Sequence, residues 1–376
     1  MATKKFCNRT IKSGKSCLVL DGAMGTTLSQ AGLTETEAWT AGWRLDESHI
    51  YDATKTAHLQ FLNSGVDILT ANTYRVYPES VMMVVNNDLS RTKDSDYDYA
   101  GHVTKWTVAG IDLANECIEE FMNKESTQAE KRPILAVSIA TFGITIPGRT
   151  ETTNRIYDEK NEGIYNKKGF GASLSSIENY FNMRLSDEII SRVRTYGNNH
   201  NDSVCFAFET CGDKMECQAI CNVLGQKSSL LDNIDTWITF TCPTGDTVDS
   251  GDSLKSCVEV ICKCQYVTAL GINCSAPALV LPLLDIINKT LSENNCSDKV
   301  VVVYPNSGER YIARKLDDGE EEQWRDDGDT LHDHSFEDAC LEWIRNGANI
   351  VGGCCRITHK DIGRLVDKID AVTQEQ

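Results

Sequence analysis

The sequence predicts a (β/α)8 barrel, because short apolar segments alternate with segments of helical periodicity along most of the 376 residues. The apolar segments are mostly continuous, as expected of parallel strands that are buried on both faces. Several helical segments end in Gly or Asn just before the next apolar segment, which is typical of the turn from a helix into a strand. A doubly wound sheet is the alternative, but it usually has fewer strands and places its chemistry at one switch point.

Eight apolar segments qualify as strands. They cover residues 17–23, 66–74, 134–140, 203–210, 235–242, 267–274, 301–308 and 348–355. Helical periodicity follows them at residues 46–63, 108–122, 177–195, 214–224, 253–263, 279–290, 336–345 and 359–372. No change in composition marks an internal boundary, so we expect one domain over residues 1–376 with its core at about 15–372.

Three connections are longer than the others, at residues 75–107, 141–176 and 309–335. Each follows a predicted strand, which is the side on which barrel enzymes build their sites. Long connections in compact domains are usually lids, binding loops or disordered segments. The sequence therefore places all three beside the mouth of the barrel.

The charge balance is strongly acidic, with 55 acidic against 37 basic residues and a formal net charge of −18. A surface of this sign repels phosphate backbones and anionic lipids, so we expect neither nucleic acid nor membrane as a partner. No apolar run approaches the ~18 residues needed to span a bilayer, and the N-terminal residues lack the apolar segment of a signal peptide. We expect a soluble, cytoplasmic protein that acts on small molecules.

Polar and sulfur-containing residues gather where the predicted strands end, and the ends of parallel strands converge at the mouth of a barrel. They are Asp21, Gly22, Asn72, Thr73, Glu209, Thr210, Cys274, Asn306, Cys354 and Cys355. Most of the 16 cysteines lie inside apolar segments, where a thiol behaves as a small buried hydrophobic group. The cysteines at the strand ends are therefore the informative ones.

Cys274 ends the sixth predicted strand, and Cys354 and Cys355 end the eighth. Three thiolates are a suitable ligand set for Zn²⁺, and three protein ligands leave a fourth position open, as in catalytic zinc sites. The glycines of the GGCC sequence allow the backbone bend that turns both adjacent sulfurs inward. The alternatives are buried thiols, or a vicinal disulfide between Cys354 and Cys355.

The charge of such a centre indicates its chemistry. Zn²⁺ with three thiolates has a net charge near −1, which makes it a poor Lewis acid for producing hydroxide. A thiol bound in the fourth position would be deprotonated and would keep an electron-rich sulfur. A cationic methyl donor would lose its charge during transfer, and a pocket of low dielectric favours this. The pattern therefore predicts alkylation of a thiol.

Two carboxylates at strand ends, Asp21 and Glu209, suit the α-ammonium group of an amino-acid substrate. The backbone N–H groups around Gly22 and Gly25 could receive the substrate carboxylate. The alternative is that the two carboxylates cap the helices that follow their strands.

Seven sequence motifs resemble those of the homocysteine S-methyltransferases. They are LDGAMGTTL (20–28), TEAWTAG (36–42), LTANTY (69–74), FET (208–210), LGINCSA (270–276), YPNSGE (304–309) and GGCCRIT (352–358). They occur in the family's order over almost the whole chain, and GINC with GGCCR is highly specific. YPNSGE favours the branch that uses S-methylmethionine or S-adenosylmethionine over the branch that uses betaine.

The resemblance implies a (β/α)8 barrel in which Cys274, Cys354 and Cys355 bind zinc and the homocysteine thiol takes the fourth position. It also implies that Asp21 and Glu209 hold the homocysteine amino group. By the same resemblance, Trp39 matches a tryptophan that lines the donor pocket, and Tyr74 falls close to another aromatic residue of that pocket. A sulfonium can stack on such aromatic faces; ordinary packing is the alternative for both residues. We also count three strand-end residues, Gly22, Asn72 and Asn306, as substrate-binding.

The chain departs from the family pattern near the third predicted strand. The donor branch commonly has Gly-Pro after the strand's serine, whereas Ser138 is followed by Ile139-Ala140-Thr141 here. The next loop, 142–171, is also longer than in the family. Betaine as donor, selenohomocysteine as acceptor and a non-catalytic zinc-binding barrel stay open as alternatives. Without the C-terminal arm through which the betaine enzymes dimerise, we expect a monomer or a small homo-oligomer.

Overall fold

The computed structural model describes residues 3–12, 17–77, 98–125, 132–145, 172–200, 203–232, 234–312, 323–325 and 336–374. Eight parallel strands form one sheet in which each strand pairs with its neighbours in sequence, and the last pairs with the first. An isolated parallel bridge between Leu20 and Ile68 closes the ring between the first two strands. The (β/α)8 barrel predicted from the sequence is confirmed.

Six of the eight barrel strands are shorter than their apolar segments, and the third and fourth keep the predicted length. They span Leu18–Val19, Ile68–Ala71, Ile134–Ala140, Val204–Cys211, Asp235–Phe240, Ala269–Asn273, Val300–Tyr304 and Ile350–Val351. The seventh strand shows why the apolar runs are continuous. Val300 and Val302 pack in the barrel interior, whereas Val301 and Val303 pack against the helices outside. Both faces are buried, so neither set of alternate positions is polar.

Helices surround the barrel. In the described residues they span Met24–Gln30, Glu35–Thr40, Ser48–Asn63, Tyr99–Glu125, Leu174–Arg184, Asp187–Asn199, Lys214–Gln226, Leu254–Cys262, Val280–Glu293, Phe336–Arg345 and His359–Gln374. The prediction of a single helix at 177–195 is wrong, because one helix ends at Arg184 and another begins at Asp187. The Ser186 hydroxyl caps the second helix by accepting a hydrogen bond from the Ile189 amide.

An N-terminal hairpin, which the sequence analysis did not predict, closes the floor of the barrel. Its strands are Thr3–Phe6 and Arg9–Lys12. Phe6 is fully buried, and its ring centroid lies 5.9 Å from that of Trp237 inside the barrel. The ammonium of Lys4 donates to the backbone carbonyl of Lys299 at 2.7 Å. The hairpin therefore packs at the end of the barrel opposite its mouth.

Most of the three long connections lies outside the described residues, namely 78–97, 146–171, 313–322 and 326–335. Within the last connection, Arg310–Ile312 pairs in antiparallel fashion with Gln323–Arg325. No helix in the described ranges is both long and apolar enough to cross a membrane.

Candidate metal and substrate site

Three cysteine sulfurs meet at the mouth of the barrel. The Sγ atoms of Cys274, Cys354 and Cys355 all lie within 4.8 Å of one another. The distance is 3.5 Å from Cys274 to Cys355 and 3.9 Å from Cys354 to Cys355. Cys274 and Cys354 are joined by a disulfide, with their Cα atoms 5.4 Å apart. This bond joins the sixth and eighth strands, and the vicinal pairing that the sequence left open does not occur here.

Close packing of the two glycines explains how the eighth strand delivers two adjacent sulfurs. A Cβ atom at Gly352 would lie 2.8 Å from the carbonyl oxygen of Leu20, and one at Gly353 would lie 2.2 Å from a side-chain atom of Ile357. The turn that follows is held by a hydrogen bond of 2.8 Å from the Cys354 amide to the carbonyl of Pro305. Only glycine leaves room for the close approach of this segment to Leu20 and Ile357.

The donor set fits a tetrahedral zinc ion. Zinc–sulfur bonds of roughly 2.3 Å place two sulfurs of a tetrahedron about 3.8 Å apart. Two of the three sulfur pairs, at 3.5 and 3.9 Å, already lie near that separation. The third pair is the disulfide, which must be reduced before both of its sulfurs can act as thiolate ligands. Within the described ranges, no other group of three His, Cys, Asp or Glu side chains has this arrangement.

Asp21 lies at the end of the first strand and is buried, with 4% of its surface exposed. Its carboxylate accepts hydrogen bonds from the backbone amide of Thr70 at 2.7 Å and from the Thr70 hydroxyl at 2.8 Å. Burial raises the pKa of Asp21 to about 7; the bonds from Thr70 oppose this rise, and the charge of Glu209 adds to it.

Glu209 lies within the fourth strand and accepts hydrogen bonds from two hydroxyl groups. Tyr304 donates to it at 2.8 Å, and Ser138 donates to its other oxygen. Burial and the neighbouring Glu209 charge raise the pKa of Tyr304 well above its usual value, so its phenol stays protonated and can donate. Tyr304, Ser138 and Thr70 are not among the residues predicted for the site, although Tyr304 belongs to the YPNSGE motif.

Neither carboxylate caps the helix that follows its strand. The helix Met24–Gln30 starts after Ala23 and has no side-chain cap. The helix Lys214–Gln226 is capped by Asp213 instead. The capping alternative for Asp21 and Glu209 is therefore wrong for these helices, and both carboxylates are left to face the barrel mouth.

A cavity of about 550 Å³ contains the three sulfurs and the two carboxylates. It is lined by Leu20, Asp21, Gly22, Ala23, Met24, Gly25, Thr26, Ser29, Leu33, Ala38, Thr70, Ala71, Asn72, Tyr74, Arg75, Ser138, Glu209, Thr210, Asn273, Cys274, Tyr304, Gly353, Cys354, Cys355 and Arg356. The backbone of Trp39 lies in the helix Glu35–Thr40, but its side chain is outside the described part of the chain. The hydroxyl of Tyr74 lies 2.8 Å from that of Thr210.

Asn306 takes a different position from the one that the sequence suggested. It is 1% exposed and does not belong to the described residues that line the cavity. Its amide nitrogen donates to the carbonyl of Cys274 at 3.1 Å, and its side-chain oxygen accepts from the Gly308 amide at 2.8 Å. Asn306 therefore supports the Cys274 turn from behind.

The fold and site define a (β/α)8 barrel with a trio of cysteines and a pair of carboxylates at its C-terminal mouth. A sequence model of the homocysteine S-methyltransferase family matches residues 18–369. The chain belongs to the homocysteine S-methyltransferase family, and the resemblance found in the sequence is confirmed.

Relatives of known name support this membership. Homocysteine S-methyltransferase 3 of Zea mays is 27% identical over 360 residues, which cover 96% of this chain and 92% of the relative. Selenocysteine Se-methyltransferase of Brassica oleracea var. italica is 27% identical over 347 residues, which cover 90% of this chain and 85% of the relative. The metallated form of the homocysteine methyltransferase MmuM from Escherichia coli has the same fold, with a TM-score of 0.66 and 18% identity. The match covers 94% of this chain and 96% of that chain.

Proposed function

We propose that this enzyme transfers a methyl group from a methylsulfonium donor to the thiol of L-homocysteine and so produces methionine. The donor would be S-methylmethionine or S-adenosylmethionine, and the metal would be Zn²⁺ held by Cys274, Cys354 and Cys355. One observation carries the proposal: three cysteine sulfurs within 4.8 Å of one another share a cavity with two carboxylates. The family membership and the names of the relatives support homocysteine as the acceptor.

Zinc, when bound, would lower the pKa of the homocysteine thiol and hold its sulfur as a thiolate in the fourth position. The cysteines supply three negative charges, so the centre would keep that sulfur electron-rich. The Escherichia coli relative has a solved metallated form, which supports a metal in the family. A non-catalytic zinc barrel is disfavoured because it would need neither Asp21 nor Glu209.

Asp21 and Glu209 would bind the homocysteine ammonium group. Asp21 is preorganised by Thr70, and Glu209 is oriented by the hydroxyls of Ser138 and Tyr304. The ammonium would remove the repulsion between the two carboxylates, which contributes to the raised pKa of Asp21. Backbone N–H groups near Gly22 would receive the substrate carboxylate.

Tyr74 lines the same cavity and would offer an aromatic face to the sulfonium, together with Trp39. Asn72 would contact substrate from the end of the second strand. Selenohomocysteine is a second candidate acceptor, and the name of the Brassica relative, Selenocysteine Se-methyltransferase, supports methyl transfer to selenium. We propose that the partners are small molecules only, that residues 1–376 form one domain, and that the protein works in the cytosol.

The transfer is a direct displacement at the methyl carbon. The bond from the donor sulfonium to that carbon breaks with its electron pair on the donor, and the homocysteine thiolate forms the new sulfur–carbon bond. The donor loses its positive charge and the thiolate its negative charge, so a cavity of low dielectric favours the transition state. No base is needed during transfer, because the thiol proton has already left.

The test is an initial-rate comparison on reduced, zinc-loaded protein with homocysteine and S-methylmethionine, S-adenosylmethionine or betaine. We expect turnover with a sulfonium donor, and with S-methylmethionine two methionines for each homocysteine consumed. Faster turnover with betaine would overturn the donor assignment. No methionine from any of the three donors would overturn the proposed function.

A further inference from the structure

Asn273 connects the metal-ligand turn to the carboxylate site. Its side-chain oxygen accepts a hydrogen bond from the Thr210 amide at 2.9 Å, and its side-chain nitrogen donates to the Thr210 hydroxyl at 3.2 Å. Asn273 directly precedes Cys274, and Thr210 directly follows Glu209. Asn273 is 2% exposed, so both hydrogen bonds form away from bulk water, where an unpaired amide would be costly.

The hydrogen bonds between Asn273 and Thr210 join two barrel strands that are separated by a third strand. The fourth and sixth barrel strands are not neighbours, because the strand Asp235–Phe240 lies between them. Sheet hydrogen bonds therefore do not join the end of Val204–Cys211 directly to the end of Ala269–Asn273. The Asn273 side chain makes that direct connection at the barrel mouth.

The backbone at Thr210 and at Cys274 has a conformation that needs hydrogen bonds from its surroundings to hold it. Thr210 has a φ of +64° and Cys274 a φ of +49°, in the left-handed region that is unfavourable for residues with a side chain. Such conformations persist where the surroundings hold them. Asn273 holds Thr210, while the Cys274 amide donates to the carbonyl of Tyr304 at 3.1 Å. The Thr210 hydroxyl also contacts Tyr74, which lines the cavity.

We propose that Asn273 is a positioning residue that sets the spacing between Glu209 and Cys274 and thereby selects the length of the acceptor. The inference rests on the proposed function, in which one molecule is held by its ammonium group at Glu209 and by its sulfur at the metal. A fixed spacing admits homocysteine, with two methylene groups between the α-carbon and the sulfur. Cysteine has one, so it cannot reach both ends equally well.

The test compares Asn273→Ala and Thr210→Val with the wild type, and uses Asn222→Ala as a matched control. Asn222 lies on an outer helix, where its amide donates to Glu178. Thr210→Val removes only the hydroxyl and keeps the amide bond to Asn273, so it serves if the alanine variant folds poorly. Each reduced protein is loaded with Co²⁺, and the visible absorption of the metal reports the equilibrium binding of homocysteine and of cysteine. Methyl transfer is measured on zinc-loaded protein.

We expect Asn273→Ala and Thr210→Val to bind one metal per chain, as the wild type would. We also expect the affinity of both variants for homocysteine to be at least tenfold weaker, with a matching rise in KM. The ratio of their affinities for homocysteine and for cysteine should fall at least fivefold. Asn222→Ala should match the wild type. If the wild type binds and methylates homocysteine but both variants keep its affinity and preference, only this inference is overturned. If the wild type neither binds nor methylates homocysteine, the proposed function fails with it.

Discussion

The phenolic hydroxyl of Tyr304 donates a hydrogen bond of 2.8 Å to the carboxylate of Glu209 and lies 2.7 Å from the hydroxyl of Thr239. Since Tyr304 uses its proton for Glu209, the Thr239 hydroxyl is the donor in the second contact. Tyr304 ends the seventh strand and Glu209 lies on the fourth, so the bond spans the barrel interior, and both residues line the cavity. The orientation of Glu209 therefore depends on a residue from the other side of the barrel.

Removing this hydroxyl should weaken homocysteine binding without affecting the metal. In Tyr304→Phe the Glu209 carboxylate loses a donor that fixes its position, and hydrogen bonds to charged groups contribute about 1.5–3 kcal/mol. We expect the KM for homocysteine to rise roughly tenfold, with one zinc still bound per chain. Steady-state kinetics with zinc analysis tests this, and an unchanged KM would show that Tyr304 does not position Glu209.

Homocysteine binding should weaken as the pH falls through 7, because the ammonium group needs the ionised form of Asp21, whose pKa is about 7. For a single group of this pKa, KM rises about fivefold from pH 7 to pH 6. Asp21→Asn should have a higher KM throughout and should lack this part of the pH dependence. A pH profile that is identical in the variant and the wild type would contradict the assignment.

The raised pKa of Asp21 also makes the free energy of unfolding depend on pH. Its pKa in the folded protein lies above the ordinary value of 3.8, so the folded state binds more protons than the unfolded state between about pH 4 and 7. The contribution of Asp21 to the free energy of unfolding therefore decreases as pH rises through that window. Denaturant unfolding of Asp21→Asn should show a smaller decrease across it than the wild type.

The N-terminal hairpin should contribute to stability and not to chemistry. Phe6 is fully buried against Trp237 at the barrel floor, and truncating such a residue costs about 3–5 kcal/mol. We expect Phe6→Ala to lower the free energy of unfolding by this amount and to leave the KM for homocysteine unchanged. Lys5→Ala, on the exposed side of the same strand, is the control and should stay within about 0.5 kcal/mol of the wild type.

Metal binding should require reduction and all three cysteines. Protein with the disulfide between Cys274 and Cys354 should bind no zinc at this site until a thiol reductant is added, because a disulfide sulfur carries no charge for the metal. Cys274→Ser should lose both metal and turnover even when reduced. Cys296→Ser, a half-buried cysteine outside the site, should keep both. Zinc bound stoichiometrically by Cys274→Ser would refute the ligand assignment.

Much of the fold follows from local pattern. Continuous apolar runs predicted all eight barrel strands, since strands buried on both faces are apolar at most positions. The N-terminal hairpin was missed because its strands are four residues long and contain lysine and arginine. Its turn places Cys7 and Asn8 at positive φ, and cysteine is not a residue that signals such a turn. The break before Asp187 follows from the cap at Ser186, which the helical periodicity concealed.

The part of the site that is formed by residues at the ends of strands could be predicted from the sequence. Cys274, Cys354 and Cys355 meet because the sixth and eighth strands are two places apart in a closed ring. The groups that hold Asp21 and Glu209 depend on the register and tilt of distant strands, which no local pattern specifies. Asn306 shows the same limit, because its place at a strand end did not reveal that it faces the Cys274 turn and not the cavity.

The most direct measurement is the number of sulfur atoms bound to zinc, obtained by X-ray absorption at the zinc edge on reduced, zinc-loaded protein with and without homocysteine. We predict three sulfurs and one lighter ligand in the free protein, and four sulfurs, each at roughly 2.3 Å, when homocysteine is added. A sulfur count that stays unchanged on adding saturating homocysteine would contradict the account.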